Sequence, residues 1–102
     1  MADVVTDNPS ESRFEVRVDG ELAGVVEYDR VEGGFAFTHT EVDPAFEGKG
    51  IGSVLARGAL DAARAADEAV VPFCPFINTY IKRHPEYVDL VPESEREGFG
   101  LT

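Results

Sequence analysis

Residues Val42-Asp43-Pro44-Ala45-Phe46-Glu47-Gly48-Lys49-Gly50-Ile51-Gly52 join a strand-like run (34–42) to a helix-like run (51–66). Three glycines at alternate positions lead straight into the helix start. A turn built this way can aim several backbone N–H groups at one point, with no Cβ in the way. The first helical N–H groups have no partner within the helix, and the helix dipole favours an anion there. The junction is therefore a candidate phosphate cradle. Two familiar phosphate motifs do not fit it. A P-loop needs Ser or Thr after its lysine, whereas Lys49 precedes Gly50. A dinucleotide fingerprint needs Gly-x-Gly-x-x-Gly within a parallel sheet, and here the glycines are spaced differently. A glycine-rich connection with no ligand is the plain alternative.

The elements around this turn follow from periodicity. Residues 1–12 are polar, carry Asn8-Pro9-Ser10 and lack a period, so they read as a frayed tail. Phe14, Val16 and Val18 alternate with Glu15 and Arg17, which predicts a half-buried strand. Asp19-Gly20 is a hairpin turn signal. A second strand follows over 21–28, then Gly33-Gly34 and a third strand over 35–42. Strict alternation puts Phe35, Phe37, His39 and Glu41 on one face of that strand, and Ala36, Thr38, Thr40 and Val42 on the other. The helix over 51–67 carries Ile51, Val54, Leu55, Ala59, Ala62, Ala63 and Ala66 in a broad apolar stripe. Residues 69–73 predict a buried strand, parallel to the third by the right-handed crossover rule. Pro75 opens a second helix to about Arg83, stopped by His84-Pro85. The expectation is an α+β fold with a mixed sheet: a three-stranded antiparallel meander, a helix, a parallel strand and a second helix. One domain spans 13–91, and 92–102 reads as a C-terminal tail. Phe14, Phe35, Phe37, Phe73 and Phe76 are expected in the core.

The chain has 102 residues, of which 43% are apolar, enough for one domain with one core. The formal net charge is -11, from 20 acidic against 9 basic side chains. That argues against general affinity for nucleic acid or for an anionic membrane. No apolar run approaches a spanning helix, and the start of the chain has no signal-peptide pattern. A single cysteine, Cys74, fits a reducing compartment. The expected location is the cytoplasm. The acidic load with only two lysines suggests a surface adapted to high salt, with an ordinary acidic cytosolic protein as the competing reading. No metal is implied.

The meander, glycine turn, helix, parallel strand and second helix together resemble the GCN5-related N-acetyltransferase family. That family's pyrophosphate loop reads Arg/Gln-x-x-Gly-x-Gly/Ala. This chain reads Glu47-Gly48-Lys49-Gly50-Ile51-Gly52, keeping the glycines but placing Glu47 where Arg or Gln is usual. Family members often carry Tyr-x-Lys-x-Gly-Phe near the end; Tyr80-Ile81-Lys82-Arg83-His84-Pro85 keeps the Tyr and Lys and lacks the Gly-Phe. The chain more closely resembles the short predicted acetyltransferases of the YjdJ type. It shares with them His39-Thr40-Glu41-Val42, the three glycines, Cys74-Pro75-Phe76 and Tyr80-Ile81-x-x-His84-Pro85-Glu86-Tyr87. The resemblance implies acetyl-CoA or coenzyme A as cosubstrate and an amine acceptor, either a small molecule or a protein lysine or N-terminus.

On that fold, unpaired backbone at Thr40, Glu41 and Val42 would take the pantetheine arm as an added strand. Gly48, Lys49, Gly50, Ile51 and Gly52 would hold the pyrophosphate. Asn78 would bond the pantetheine or simply begin a helical turn. The thioester would lie near His39 and Cys74. His39 is a candidate general base, or a histidine satisfied on the sheet face. Cys74 is a candidate nucleophile, or a small buried hydrophobe. The resemblance makes Tyr80 the acid that protonates the leaving thiolate; an aromatic packed on the sheet is its alternative. Two further readings stand beside acetyl transfer: a CoA-binding module with little or no transferase activity, and thiol-dependent acyl transfer through Cys74. A homodimer would supply a wall that a chain this short lacks.

Overall fold

The computed structural model describes residues 3–102. A five-stranded mixed sheet runs in the order β1 (Asp3–Asn8), β2 (Arg13–Val18), β3 (Glu21–Val31), β4 (Gly34–Val42) and β5 (Ala69–Pro72). The first four strands are antiparallel neighbours, and β5 lies parallel to β4. The crossover is α1 (Ile51–Ala65), and α2 (Pro75–Arg83) follows β5. Asp19 and Gly20 both have positive φ, as a two-residue hairpin requires.

The meander has four strands, not three. Asp3–Asn8, expected within a frayed tail, form the edge strand β1; Met1 and Ala2 lie outside the described residues. Two contacts secure β1. Val5 packs so close to Gly58 of α1 that a Cβ there would sit 2.7 Å from it. The Tyr28 hydroxyl donates to Asp7 Oδ1 at 2.6 Å, and burial with this bond pushes the phenol up to about 12. The other end also differs from expectation. After a 3-10 turn over Pro85–Leu90, α3 (Glu93–Arg96) turns the chain back, and the Leu101 N–H donates to the Arg96 carbonyl. Leu101 packs against the core.

Both long helices lie on one face of the sheet and share one core. α1 contributes Ile51, Leu55, Ala56, Ala59, Leu60 and Ala63. The buried stripe is thus rotated from the expected one, with Ala62 and Ala66 exposed. Phe14, Tyr28, Phe35 and Phe37 form the aromatic centre of the sheet face, with ring centroids 4.8–6.4 Å apart. Edge-to-face arrangements predominate, as ring quadrupoles favour. Phe73 and Phe76, expected in the core, are instead exposed.

The other sheet face carries alternating polar residues, as a one-side-solvated antiparallel sheet should. Glu15 lies there, only 5% exposed. It accepts from Asn8 Nδ2 at 3.0 Å, Arg13 Nε at 2.9 Å and Arg17 Nη2 at 3.3 Å. The Asn8 and Arg13 hydrogen bonds hold its carboxyl below the usual glutamate value. A carboxylate depressed in the folded state contributes stability above its unfolded value of about 4.3, lost as pH falls through the folded value. Glu15→Ala should therefore lose about 1–2 kcal/mol at pH 7, the worth of charge-assisted bonds to partly exposed arginines. The deficit should shrink toward pH 3, as measured by urea unfolding across that range.

Candidate active site

The site begins where β4 and β5 part. Their parallel register runs from Gly34 opposite Ala69 to Phe37 opposite Pro72. One more backbone bond follows, from the Cys74 N–H to the Phe37 carbonyl at 2.8 Å. Pro72 has no N–H to extend the ladder, and Pro75 occupies the first turn of α2. The β5 chain therefore turns away while β4 continues to Val42, and among the described residues no strand pairs with Thr38–Val42 on that side.

A bulge then decides which side chains face the gap. His39 pairs with Glu27 but Phe37 pairs with Tyr28, so Thr38 is an extra residue in β4. Its hydroxyl donates to the Glu27 carbonyl at 3.3 Å. One inserted residue reverses the alternation beyond it. Phe37 and Val42 thus both pack on the core side, and Thr40 joins them. His39 and Glu41 are carried to the opposite face, where Nε2 and Oε1 lie 3.1 Å apart and His39 is 53% exposed. The expected grouping of His39 and Glu41 with Phe35 and Phe37 is thereby corrected: strict alternation ignored the bulge.

The glycine turn follows directly. The Asp43 carboxylate accepts from the Ala45 N–H at 2.9 Å and starts a 3-10 turn, Pro44–Phe46. Gly48 and Gly50 both adopt positive φ, and Gly50 caps α1 without any side-chain bond. The first helical bond runs from the Val54 N–H to the Gly50 carbonyl at 3.2 Å. Among the described residues, the N–H groups from Gly48 to Ser53 have no acceptor. Open space lies over Gly48 and Gly50, but a Cβ on Gly52 would meet the Phe76 ring at 2.8 Å. The two helix starts therefore meet through Gly52 and Phe76. Between them opens a cleft of about 240 Å³, bordered by Val42, Phe46, Glu47, Gly48, Gly50 and Phe76. Lys49 turns elsewhere: its ammonium lies 5.8 Å from the Phe46 centroid and borders a separate cleft with Asp3, Asp19 and Glu21.

Cys74 is the N-cap residue of α2 and only 2% exposed. Its sulfur lies 3.1 Å from Thr40 Oγ1. Tyr80 lies six residues further along, on the buried side of α2, about 9 Å along the axis. It stacks on His84, centroids 4.0 Å apart, and desolvation raises its phenol above the ordinary value. Asn78 points away from the glycine turn. Its Nδ2 donates to the Phe99 carbonyl at 3.2 Å, while its buried Oδ1 has no partner among the described residues.

The structure brings Val42, Phe76 and the glycine turn to one cleft and sets Thr40 against the buried Cys74 sulfur, while His39, Lys49 and Asn78 are directed elsewhere. The sequence reading missed Phe76 as a wall of the cleft. Its signal was Gly52, a mid-turn glycine with normal φ that only close packing requires. Residues 13–90, more than half of the chain, match the family model described as GCN5-related N-acetyl-transferase. No curated protein matches the chain. The chain belongs to the GCN5-related N-acetyltransferase family.

Gly50 separates backbone strain from crowding, because a Cβ there meets nothing within 4 Å. Gly50→Ala should lower stability by about 1 kcal/mol, the left-handed penalty alone. Gly50→Asn should lose less, because asparagine tolerates that conformation. Thermal unfolding of the three proteins checks this order.

Proposed function

We propose that this protein binds acetyl-CoA where β4 and β5 part and transfers the acetyl group to an amine. The observation that carries this reading is a coincidence along one strand. Among the described residues, β4 has no strand on its β5 side over Thr38–Val42, and the same strand leads into the run of N–H groups without acceptors from Gly48 to Ser53. An extended arm with amides and an anionic end matches that sequence of groups. The pyrophosphate would rest on Gly48, Gly50, Ile51 and Gly52, and the pantetheine on the backbone of Thr40–Val42.

Acetyl-CoA supplies an activated acyl carbon; this chain supplies orientation and proton handling. Burial keeps the Tyr80 phenol protonated, as a donor to a leaving thiolate must be. His39 would serve as base only for an amine arriving from the open sheet face, where Glu41 orients its imidazole. The net charge of -11 attracts a cationic acceptor. The openness of the gap favours an exposed amine, such as a protein lysine or N-terminus, over a small amine that needs walls. The Thr40–Cys74 contact favours a second route, through the Cys74 thiol. Glu47 at the cleft opposes an anion, and Lys49 does not offset it. This favours weak coenzyme binding and keeps in view a CoA-binding module without transfer.

Calorimetry with acetyl-CoA and CoA, at low and at molar KCl, tests the reading. Saturable binding is expected, abolished in Gly50→Glu by bulk and charge. Glu47→Gln should tighten binding about fivefold, roughly 1 kcal/mol for removing a carboxylate near a phosphate at the surface. An amine screen on the binding-competent protein then distinguishes transfer from binding alone. A folded protein that binds neither ligand, or a Gly50→Glu variant of undiminished affinity, would overturn the placement.

A further inference from the structure

We propose that the acceptor is the side chain of a lysine on a protein, and that Phe73, backed by Phe99, holds its alkyl stem on the open face of the sheet. This rests on the acetyl-transfer reading above and names the substrate within it.

Phe73 is 62% exposed, the largest exposure of any bulky apolar side chain among the described residues. A lone exposed ring needs no explanation, but this one is built into a pair. The Phe99 ring meets it edge-on, centroids 5.3 Å apart. Phe99 is itself held from two sides. Its carbonyl accepts from Asn78 Nδ2 at 3.2 Å. Two residues on, the Leu101 N–H donates to the Arg96 carbonyl and the Leu101 side chain packs against the core. The C-terminal segment thus returns to the fold and steadies an exposed ring without burying it.

The ring pair stands at the gap. β5 pairs with β4 as far as Pro72, and Phe73 is the next residue. Val70 lies in the core, and strand alternation sends Phe73, three residues on, to the opposite face. That is the face to which the Thr38 bulge carries His39 and Glu41. The two lips of the gap therefore present different chemistries to one side: a ring pair on β5, and a carboxylate with an imidazole on β4. Among the described residues no lysine or arginine pairs with Glu41. A lysine side chain carries the matching order of groups. Its methylene stem packs on an aromatic face, and its ammonium is drawn both to the ring and to the carboxylate. An N-terminal amine has no such stem and would leave the rings unused. A small diamine finds a single wall in a ring this exposed, whereas a lysine arrives with the surface of its own protein.

The experiment follows the Phe73 ring protons by solution NMR during titration with three probes. They are a pentapeptide with a central lysine and both ends blocked, a lysine-free pentapeptide with a free N-terminus, and 1,5-diaminopentane. The titration needs neither coenzyme nor turnover, and calorimetry with acetyl-CoA tests the proposed function separately. The blocked lysine peptide should shift the Phe73 resonances saturably, and the lysine-free peptide should not. Phe73→Ala, shown folded by its thermal transition, should weaken binding of the lysine peptide about threefold, the scale of an exposed cation–π contact. Phe73→Tyr should keep it. In the transfer reaction, Phe73→Ala should raise KM for the lysine peptide by the same factor with kcat little changed. No saturable shift with the lysine peptide, equal binding by parent and Phe73→Ala, or a lysine-free peptide that binds as tightly would each overturn the lysine site. Tighter binding of 1,5-diaminopentane than of the lysine peptide would overturn the choice of a protein acceptor. A parent that does not bind acetyl-CoA would instead remove the proposed function, and the titration would still decide whether Phe73 holds a lysine.

Discussion

The hydrogen bond from the Cys74 N–H to the Phe37 carbonyl closes the β4–β5 ladder, and its position sets the rest of the upper molecule. Below it, Gly34–Phe37 and Ala69–Pro72 hold the two strands side by side. Above it, Pro72 cannot donate and Pro75 begins a helix. Because pairing with β5 stops there, β4 runs on past the ladder and into the glycine turn.

The bulge at Thr38 is the second determinant, and it separates two chemistries. Core packing continues across it, since Phe37 on one side and Val42 on the other both reach the same cluster. The polar residues between are sorted by it: Thr40 inward to Cys74, His39 and Glu41 outward to each other. His39 and the Cys74 thiol, expected side by side, therefore stand on opposite faces of one sheet.

Much of this was legible in the sequence, for identifiable reasons. Asp19-Gly20 signals a tight hairpin, Gly48 and Gly50 permit the positive φ that they adopt, and two prolines bracket Cys74. Each is a local constraint that a sequence states outright. The bulge was not legible, because Thr38 carries no mark of being the extra residue, and counting by twos through it is the natural reading. Nor was β1. As an edge strand it buries little and reads as polar, and its attachment depends on Gly58 and Tyr28, which are distant in sequence. The C-terminal segment returned to the fold for a similar reason: Arg96 and Leu101 make contacts that no short-range pattern announces.

The parallel ladder is also the shortest in the sheet, four paired positions where β3 and β4 share eight. Cooperative opening of a native protein tends to start at such thin seams. The amides of Val70 and Val71 should then exchange with solvent deuterium sooner than those of the central strands. A guest bridging the two lips would lengthen the seam with its own hydrogen bonds and slow that exchange. The opening would thus report its own occupancy in the hydrogen-exchange rate of a strand that the guest extends.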